Sequence, residues 1–180
     1  MRFGRALFDP ERVVQAAGVA PGMHVADFGC GRTGHIMLPA AHQVGGEGTV
    51  FAVDLVKEHL QMIESLCSLQ GLSCVQPIWG DYERPGGVHI ESGSLDRIFL
   101  VNNLSLLADV GSFVSEAKRL LHPDGRVVVV DWKKRFPHPV APPSDTLYDL
   151  HDAELLFAQH GLQKVDEIPV SPTHWGLILS

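Results

Sequence analysis

Cysteine is scarce in this sequence. Only Cys30, Cys67 and Cys74 occur among 180 residues, and no two of them form a C-x-x-C pair. That excludes a disulfide scaffold and suits reduced thiols in a cytoplasmic protein. Long apolar runs are also missing. Nothing approaches the roughly 18 residues of a membrane-crossing helix, so no membrane span is expected. The opening "MRFGRALFDPERVV" holds no apolar stretch ending in a cleavage signal, so secretion is not expected. Basic charge is in deficit: 14 Lys and Arg face 21 Asp and Glu, for a net charge of −7. Phosphates are usually met by a Lys/Arg surplus, so generic nucleic-acid binding is disfavoured and no DNA partner is expected. The ten histidines include no H-x-x-x-H and join no carboxylate cluster, so no metal is expected either.

What is present is a rhythm. "HVADFG" is a short apolar run ending at glycine, and "RTGHIMLPAAHQV" follows as a helix that Pro39 either kinks or divides. "TVFAVD" is a β-branched strand closing on Asp54. "VKEHLQMIESLCSLQG" sets Leu60, Ile63, Leu66 and Cys67 at helical spacing and stops at Gly71. "SCVQPIWGD" and "SLDRIFLVNN" (Leu95 to Val101) are further strands, "VGSFVSEAKRLLHPDG" a helix, and "RVVVVDW" a strand whose consecutive valines imply burial on both faces. Strand and helix alternate as in a parallel sheet covered on both sides. A helix near 149–160 follows, then "QKVDEIPV" and "THWGLIL", joined so briefly that they must pair antiparallel. The fold class is therefore α/β: a Rossmann-like three-layer sandwich with a seven-stranded, mostly parallel sheet and an antiparallel C-terminal hairpin. One domain spans 1–180. It opens with a short helical segment over 1–23, in which Asp9 caps and Pro10 begins a helix. A proline-rich rim or linker covers 133–146.

Ligands of open α/β sheets sit beyond the carboxyl ends of the strands. There "VADFGCGRTGHI" places Gly29, Gly31 and Gly34 in a G-x-G-x-x-G pattern. Glycines let a backbone approach a ligand closely. Asp27, two residues earlier, would repel a pyrophosphate and attract a ligand with positive charge, such as the ammonium and sulfonium of S-adenosylmethionine. It could equally cap nearby loop amides. Asp54 can accept hydrogen bonds from both hydroxyls of a ribose, whether the cofactor is NAD or S-adenosylmethionine. Asp81, in "WGDYE", ends the third strand within reach of an adenine, with Tyr82 or Trp79 as an apolar flank. Three acids ending three successive strands form a constellation.

With these residues in view, the chain resembles the class I S-adenosylmethionine-dependent methyltransferases, with its closest general look to the small-molecule, quinone-biosynthesis type. The match lies in "VADFGCGRTG", "VFAVD", "WGDYE", "LDRIFLVNNL" and "LLHPDGRVVVVDW", over about residues 10–180. The resemblance implies S-adenosylmethionine as cofactor and S-adenosylhomocysteine as product. It implies that Gly29, Cys30, Gly31 and Gly34 line the methionine moiety with Asp27 nearby. It implies that Asp54 and Leu55 hold the ribose, that Gly80, Asp81 and Tyr82 flank adenine, and that Asn102 sits where a backbone carbonyl meets the ammonium, with Asn103 and Leu104 beside it. Thr33 stands where the family often has a third glycine, and its hydroxyl could face the cofactor carboxylate.

The acceptor is harder to read. "NNLSLL" lacks the Asn/Asp-Pro-Pro-aromatic run of enzymes that methylate nucleobase amino groups. Methyl transfer from a sulfonium depends mainly on positioning, and a base is needed only if the acceptor must lose a proton. Candidate catalytic residues are His35, Asn103 and Asp131, each with a structural alternative: a packed histidine, a loop-satisfying amide and a capping carboxylate. Lys133, Lys134 and Arg135 could draw in an anionic acceptor or simply be solvated. A short N-terminal cover leaves an open site, which suits a large acceptor, a small molecule or a homodimer that completes the pocket. The expected function is methyl transfer to an unidentified acceptor, with a small molecule as the leading expectation. A protein or RNA acceptor, a cofactor-binding scaffold without turnover, and an NAD-dependent oxidoreductase stand as alternatives. Asp27, the terminal hairpin and the lack of a second half speak against the last.

Overall fold

The computed structural model describes residues 7–135 and 138–180. The first six residues, and Phe136 and Pro137 of the rim, lie outside that set. Seven strands form one sheet: β1 (His24–Phe28), β2 (Thr49–Asp54), β3 (Val75–Trp79), β4 (Leu95–Val101), β5 (Leu121–Trp132), β6 (Lys164–Glu167) and β7 (His174–Leu179). Their order is β3-β2-β1-β4-β5-β7-β6. The first five run parallel. Strand β7 enters antiparallel between β5 and β6. The fold is the three-layer α/β sandwich that the alternation implies.

Among the described residues, five α-helices cover the sheet: α1 (Pro10–Ala16), α2 (Met37–Val44), α3 (Lys57–Gln70), α4 (Val110–Leu120) and α5 (Leu150–Gln159). Strand alternation sorts the core. Val25, Val50, Ala52, Phe99, Val128 and Val130 pack under α1, α2 and α3. Ala26, Phe28, Val53, Ile98, Leu100, Val127 and Val129 pack under α4 and α5. Val127 through Val130 are all fully buried, as their apolar run requires.

Helix ends follow local chemistry. Asp9 caps α1 through the Glu11 amide at 3.1 Å, with Pro10 at the first helical position. Helix α3 stops where Gly71 turns left-handed at φ 69°. Asp109 and Asp149 cap α4 and α5. The helix expected over "RTGHIMLPAAHQV" is shorter than the sequence suggests. Residues 31–36 form turns, and α2 begins only at Met37. Pro39 therefore sits in the first helical turn, where its missing N–H costs no intrahelical bond, and it neither kinks nor divides the helix. Strand β5 begins earlier than expected, at Leu121, with an irregular register opposite Leu95–Arg97.

Because β1 to β5 are parallel, their carboxyl ends share one edge. Strand order reverses there, with β2 on one side of β1 and β4 on the other. That switch point is where open α/β sheets bind ligands.

Candidate functional site

The loop after β1 is built on unusual backbone. Gly29 and Gly31 have φ of 72° and 61°, and the Gly29 and Cys30 amides both donate to the Val53 carbonyl, at 2.8 and 3.2 Å. At Gly29 a Cβ would land on the Asn103 amide group, so the position needs both the left-handed conformation and the missing side chain. At Gly31 nothing lies within 4 Å of a built Cβ, so there the backbone conformation alone calls for glycine.

Asp54 is the hub of this loop. Its Oδ2 accepts from the Gly31 amide at 2.9 Å and its Oδ1 from the Val56 amide at 2.9 Å. His59, in the first turn of α3, brings Nδ1 to 3.2 Å from Oδ2. Neighbouring Leu55 has an exposed side chain, and its carbonyl accepts from Trp79 Nε1 at 2.9 Å. Trp79 is itself exposed, with the Lys57 ammonium over its ring. It is an outer surface of the site rather than an inner wall.

Asp27 points to the other side. Alternation along β1 aims it at α2, and its Oδ2 accepts from the Met37 amide at 3.1 Å. The carboxylate thus caps the N-terminus of α2, where an anion complements the helix dipole. It is only 3% exposed. Burial first, and the nearby Asp54 charge as a smaller contribution, push its pKa up to about 7 against the help of the Met37 amide. Cys30, buried next to the same acids, has its thiol pushed up as well, first by burial and then by Asp27 and Asp54. It is no nucleophile.

The segment after β4 supplies the facing wall. Asn102 is left-handed at φ 57°, and its amide donates to the Val130 carbonyl at 2.8 Å. Its side-chain Oδ1 is buried and has no hydrogen-bond partner among the described residues. Such an atom costs stability until something donates to it. Asn103 behaves differently. Its Nδ2 donates to the carbonyls of Val101, Gly29 and Phe28 at 2.9, 3.2 and 3.3 Å, so it ties β4 to the glycine loop. Leu104 is buried, and its amide donates to Asp131 Oδ2 at 3.0 Å. Asp131 Oδ1 accepts from the Trp132 amide at 2.7 Å. Both oxygens of this buried carboxylate therefore hold backbone, and burial raises its pKa to about 6.

Past β3, Gly80 leaves no room for a side chain, since a Cβ would sit 2.9 Å from the Gly87 carbonyl. Asp81 Oδ1 accepts from the Glu83 amide at 3.0 Å, and its Oδ2 pairs with Arg84 at 3.0 Å. Tyr82 stacks on Phe28 with centroids 5.0 Å apart and planes 11° apart. It joins the core under α4 while staying at the edge. Thr33 is exposed and lines a groove between α2 and α3. His35 sets its ring edge against Phe8 at 5.2 Å, and burial lowers its pKa.

Several residues here carry no sequence signal of function. Glu116 of α4 is fully buried. It accepts from the Gly86 and Val88 amides at 2.8 and 3.1 Å and is held by Arg119 at 2.7 Å. Burial works to raise its pKa, but Arg119 and the two amides prevail and lower it. Arg119 in turn donates to the Val88 carbonyl at 2.9 Å. This pair fastens the loop carrying Asp81 and Tyr82. His174, at the start of β7, is also fully buried between Trp132 (4.3 Å) and Phe8 (4.9 Å). Its Nδ1 meets Thr173 Oγ1 at 2.8 Å, and its Nε2 has no partner among the described residues. A spacing rule could not have found either, because each depends on chain segments distant in sequence.

The three cysteines are free. Among the described residues no group of three His, Cys, Asp or Glu side chains gathers as a metal would need, and no helix is long and apolar enough to cross a membrane.

Comparison with known proteins agrees with this geometry. The family described as "Methyltransferase domain" matches residues 26–129. Nocamycin O-methyltransferase of Saccharothrix syringae is 31% identical over 133 residues, covering 74% of this chain and 44% of that protein. The ubiquinone/menaquinone biosynthesis C-methyltransferase of Idiomarina loihiensis is 25% identical over 157 residues, covering 87% of this chain and 59% of that protein. The chain thus spans about half the length of these curated relatives. A SAM-dependent methyltransferase structure from Aquifex aeolicus superimposes with a TM-score of 0.87 at 25% identity, covering 96% of this chain and 89% of that one. The chain belongs to the methyltransferase-domain family, whose cofactor is S-adenosylmethionine.

Proposed function

We propose that the chain transfers the methyl group of S-adenosylmethionine to a small organic acceptor. The observation that carries this reading is the buried, unpartnered Oδ1 of Asn102 beside the glycine loop. Together with Asp54 it offers acceptors at the switch point, and the Asp27 carboxylate buried behind the loop adds negative charge, which suits a ligand bearing ammonium and sulfonium charge and disfavours a pyrophosphate. Gly29, Gly31 and Asn102 would hold the methionine end, Asp54 the ribose, and the Gly80–Tyr82 segment the adenine end. The cofactor, when bound, supplies an electrophilic methyl.

The chain's own contribution is positional. Asn103 holds the glycine loop to β4, Asp131 holds Leu104 at the end of β5, and Glu116 with Arg119 holds the adenine-side loop. Asn103 Nδ2 and both oxygens of Asp131 are held by backbone, and His35 has a depressed pKa. None is offered as a general base. Rate acceleration then comes from holding the acceptor in line with the methyl. The relatives named for an O-methyl and a quinone-biosynthesis C-methyl transfer support a small acceptor. The net charge of −7 weighs against RNA. The test is to incubate the protein with methyl-labelled S-adenosylmethionine and a cell extract, separate unreacted cofactor chromatographically, and count label in new small-molecule products, protein and RNA against a heat-inactivated control. Protein-dependent label in a small-molecule product other than the cofactor supports the reading, and label in protein or RNA alone, or in no product, refutes it.

A further inference from the structure

The turn from β2 into α3 is braced residue by residue. The Leu55 carbonyl accepts from Trp79 Nε1 at 2.9 Å, and the Val56 amide donates to Asp54 Oδ1 at 2.9 Å. Val56 is the N-cap of α3 and offers the helix no side-chain hydrogen bond. His59 stands at the third helical position. In a capping box the side chain at that position serves the N-cap amide. Here Asp54 already takes that amide, and His59 turns its Nδ1 to Asp54 Oδ2, 3.2 Å away. A carboxylate only accepts, so Nδ1 carries the ring proton in this contact.

These contacts leave Asp54 little to offer. A carboxylate has about four lone-pair positions, shared equally between its oxygens. Among the described residues three donors reach this one: the Gly31 amide and His59 on Oδ2, and the Val56 amide on Oδ1. Oδ2 is full, and Oδ1 has a single position left. Turning the carboxylate to present Oδ2 breaks its contacts with the glycine loop and α3 together. A ribose brings neighbouring 2′ and 3′ hydroxyls, and an unencumbered carboxylate can take one on each oxygen. Asp54 as folded can take one.

We propose that His59 is a positioning residue for the cofactor: by filling Oδ2 beside the Gly31 amide, it restricts Asp54 to one ribose hydroxyl, held by Oδ1. The other hydroxyl then contributes nothing through Asp54. The His59 side chain is 34% exposed, so shortening it leaves no core cavity. The proposal rests on the methyl-transfer reading, which supplies the ribose.

The test is a calorimetric comparison of S-adenosylhomocysteine with its 2′-deoxy and 3′-deoxy analogues. In the parent protein one analogue should bind about tenfold more weakly, as the loss of a hydrogen bond to a charged group implies, and the other should match the full ligand. In His59→Ala, Oδ2 regains a position, and both analogues should bind more weakly than S-adenosylhomocysteine. In His59→Asn the side-chain amide replaces Nδ1 as donor, and the one-sided pattern of the parent should return. A purely structural role would shift all three ligands alike and leave their ratios unchanged. Equal losses for the two analogues in the parent, no loss for either, or a one-sided pattern that persists in His59→Ala overturns the proposal. The parent comparison needs no variant, so it does not depend on the stability of His59→Ala. Failure of S-adenosylhomocysteine itself to bind the parent overturns the underlying methyl-transfer reading and is seen separately, before either analogue is added.

Discussion

Gly31 donates its amide to Asp54 Oδ2 at 2.9 Å, so the acid placed to hold a ribose also sets the shape of the glycine loop. Replacing it affects both. Asp54→Ala leaves the Gly31 and Val56 amides without their acceptor and removes the ribose partner. S-adenosylhomocysteine affinity should fall by about 1–3 kcal/mol, the usual cost of unsatisfied polar groups, as read by calorimetry. Unchanged affinity would mean the ribose lies elsewhere.

Two glycines of one loop should respond unequally to alanine. At Gly29 the added methyl meets the Asn103 side chain as well as an unfavourable φ of 72°. At Gly31 only the backbone term applies, about 1–2 kcal/mol. Gly29→Ala should therefore lower the urea midpoint more than Gly31→Ala. Gly29→Ala in an Asn103→Ala background should recover part of the difference, because the clash is gone.

Glu116 predicts a loop effect without touching cofactor. Removing the buried carboxylate leaves the Gly86 and Val88 amides unpaired, at about 1–3 kcal/mol for each unsatisfied buried group, while the part-exposed Arg119 can turn to solvent. Glu116→Ala should be strongly destabilised. The milder Glu116→Gln keeps one acceptor oxygen, for one of the two amides, and sets its NH2 against the other; it should be less destabilised than the alanine variant, with faster amide exchange concentrated near residues 80–90. Uniform exchange across the domain would contradict the local role.

Two buried groups give stability opposite slopes with pH. His174 falls from an ordinary 6.5 to about 4, chiefly through burial and then through Lys133, His138 and His35. The unfolded chain binds that proton first, so stability is lost as pH drops from 6.5 toward 4. Asp27 rises from 3.8 to about 7, so the folded chain holds its proton longer and stability declines as pH rises through that window. Asp131, raised to about 6, adds a slope of the same sign below that pH, so Asp27→Asn, which keeps an oxygen for the Met37 amide, should lose the decline between about 6 and 7, weaken it below 6, and keep the first slope in urea titrations across pH. A cationic ligand near Asp27 favours its ionised form, so S-adenosylmethionine should bind more tightly as pH rises through 7 in the parent protein and not in Asp27→Asn.

The sheet was legible because its signals are local and redundant. Val127–Val130, the terminal acids and the stop at Gly71 each need only a few neighbouring residues to be read. Side-chain roles depend on distant partners and were less legible. The cap that Asp27 provides for α2 was one of two readings in the sequence, and it becomes visible only once α2 starts at Met37 on the face to which β1 directs the carboxylate. Glu116 sits in "VSEAKRLL" like a solvated charge, and only the loop folding back over it from 30 residues earlier buries it. Tyr82 was expected beside adenine, and its stacking on Phe28 emerges only when the ends of β1 and β3 are side by side. Asp131 and Asn103 stand out in the sequence only as polar residues at strand ends; that Asp131 accepts from the Leu104 and Trp132 amides and Asn103 Nδ2 donates to loop carbonyls is seen only in the folded chain.

The central claim concerns what the switch point holds. Parallel calorimetric titrations with S-adenosylmethionine, S-adenosylhomocysteine and NAD test it most directly. The account predicts saturable one-site binding of the first two and none of NAD. Binding of NAD alone, or of none of the three, would contradict it.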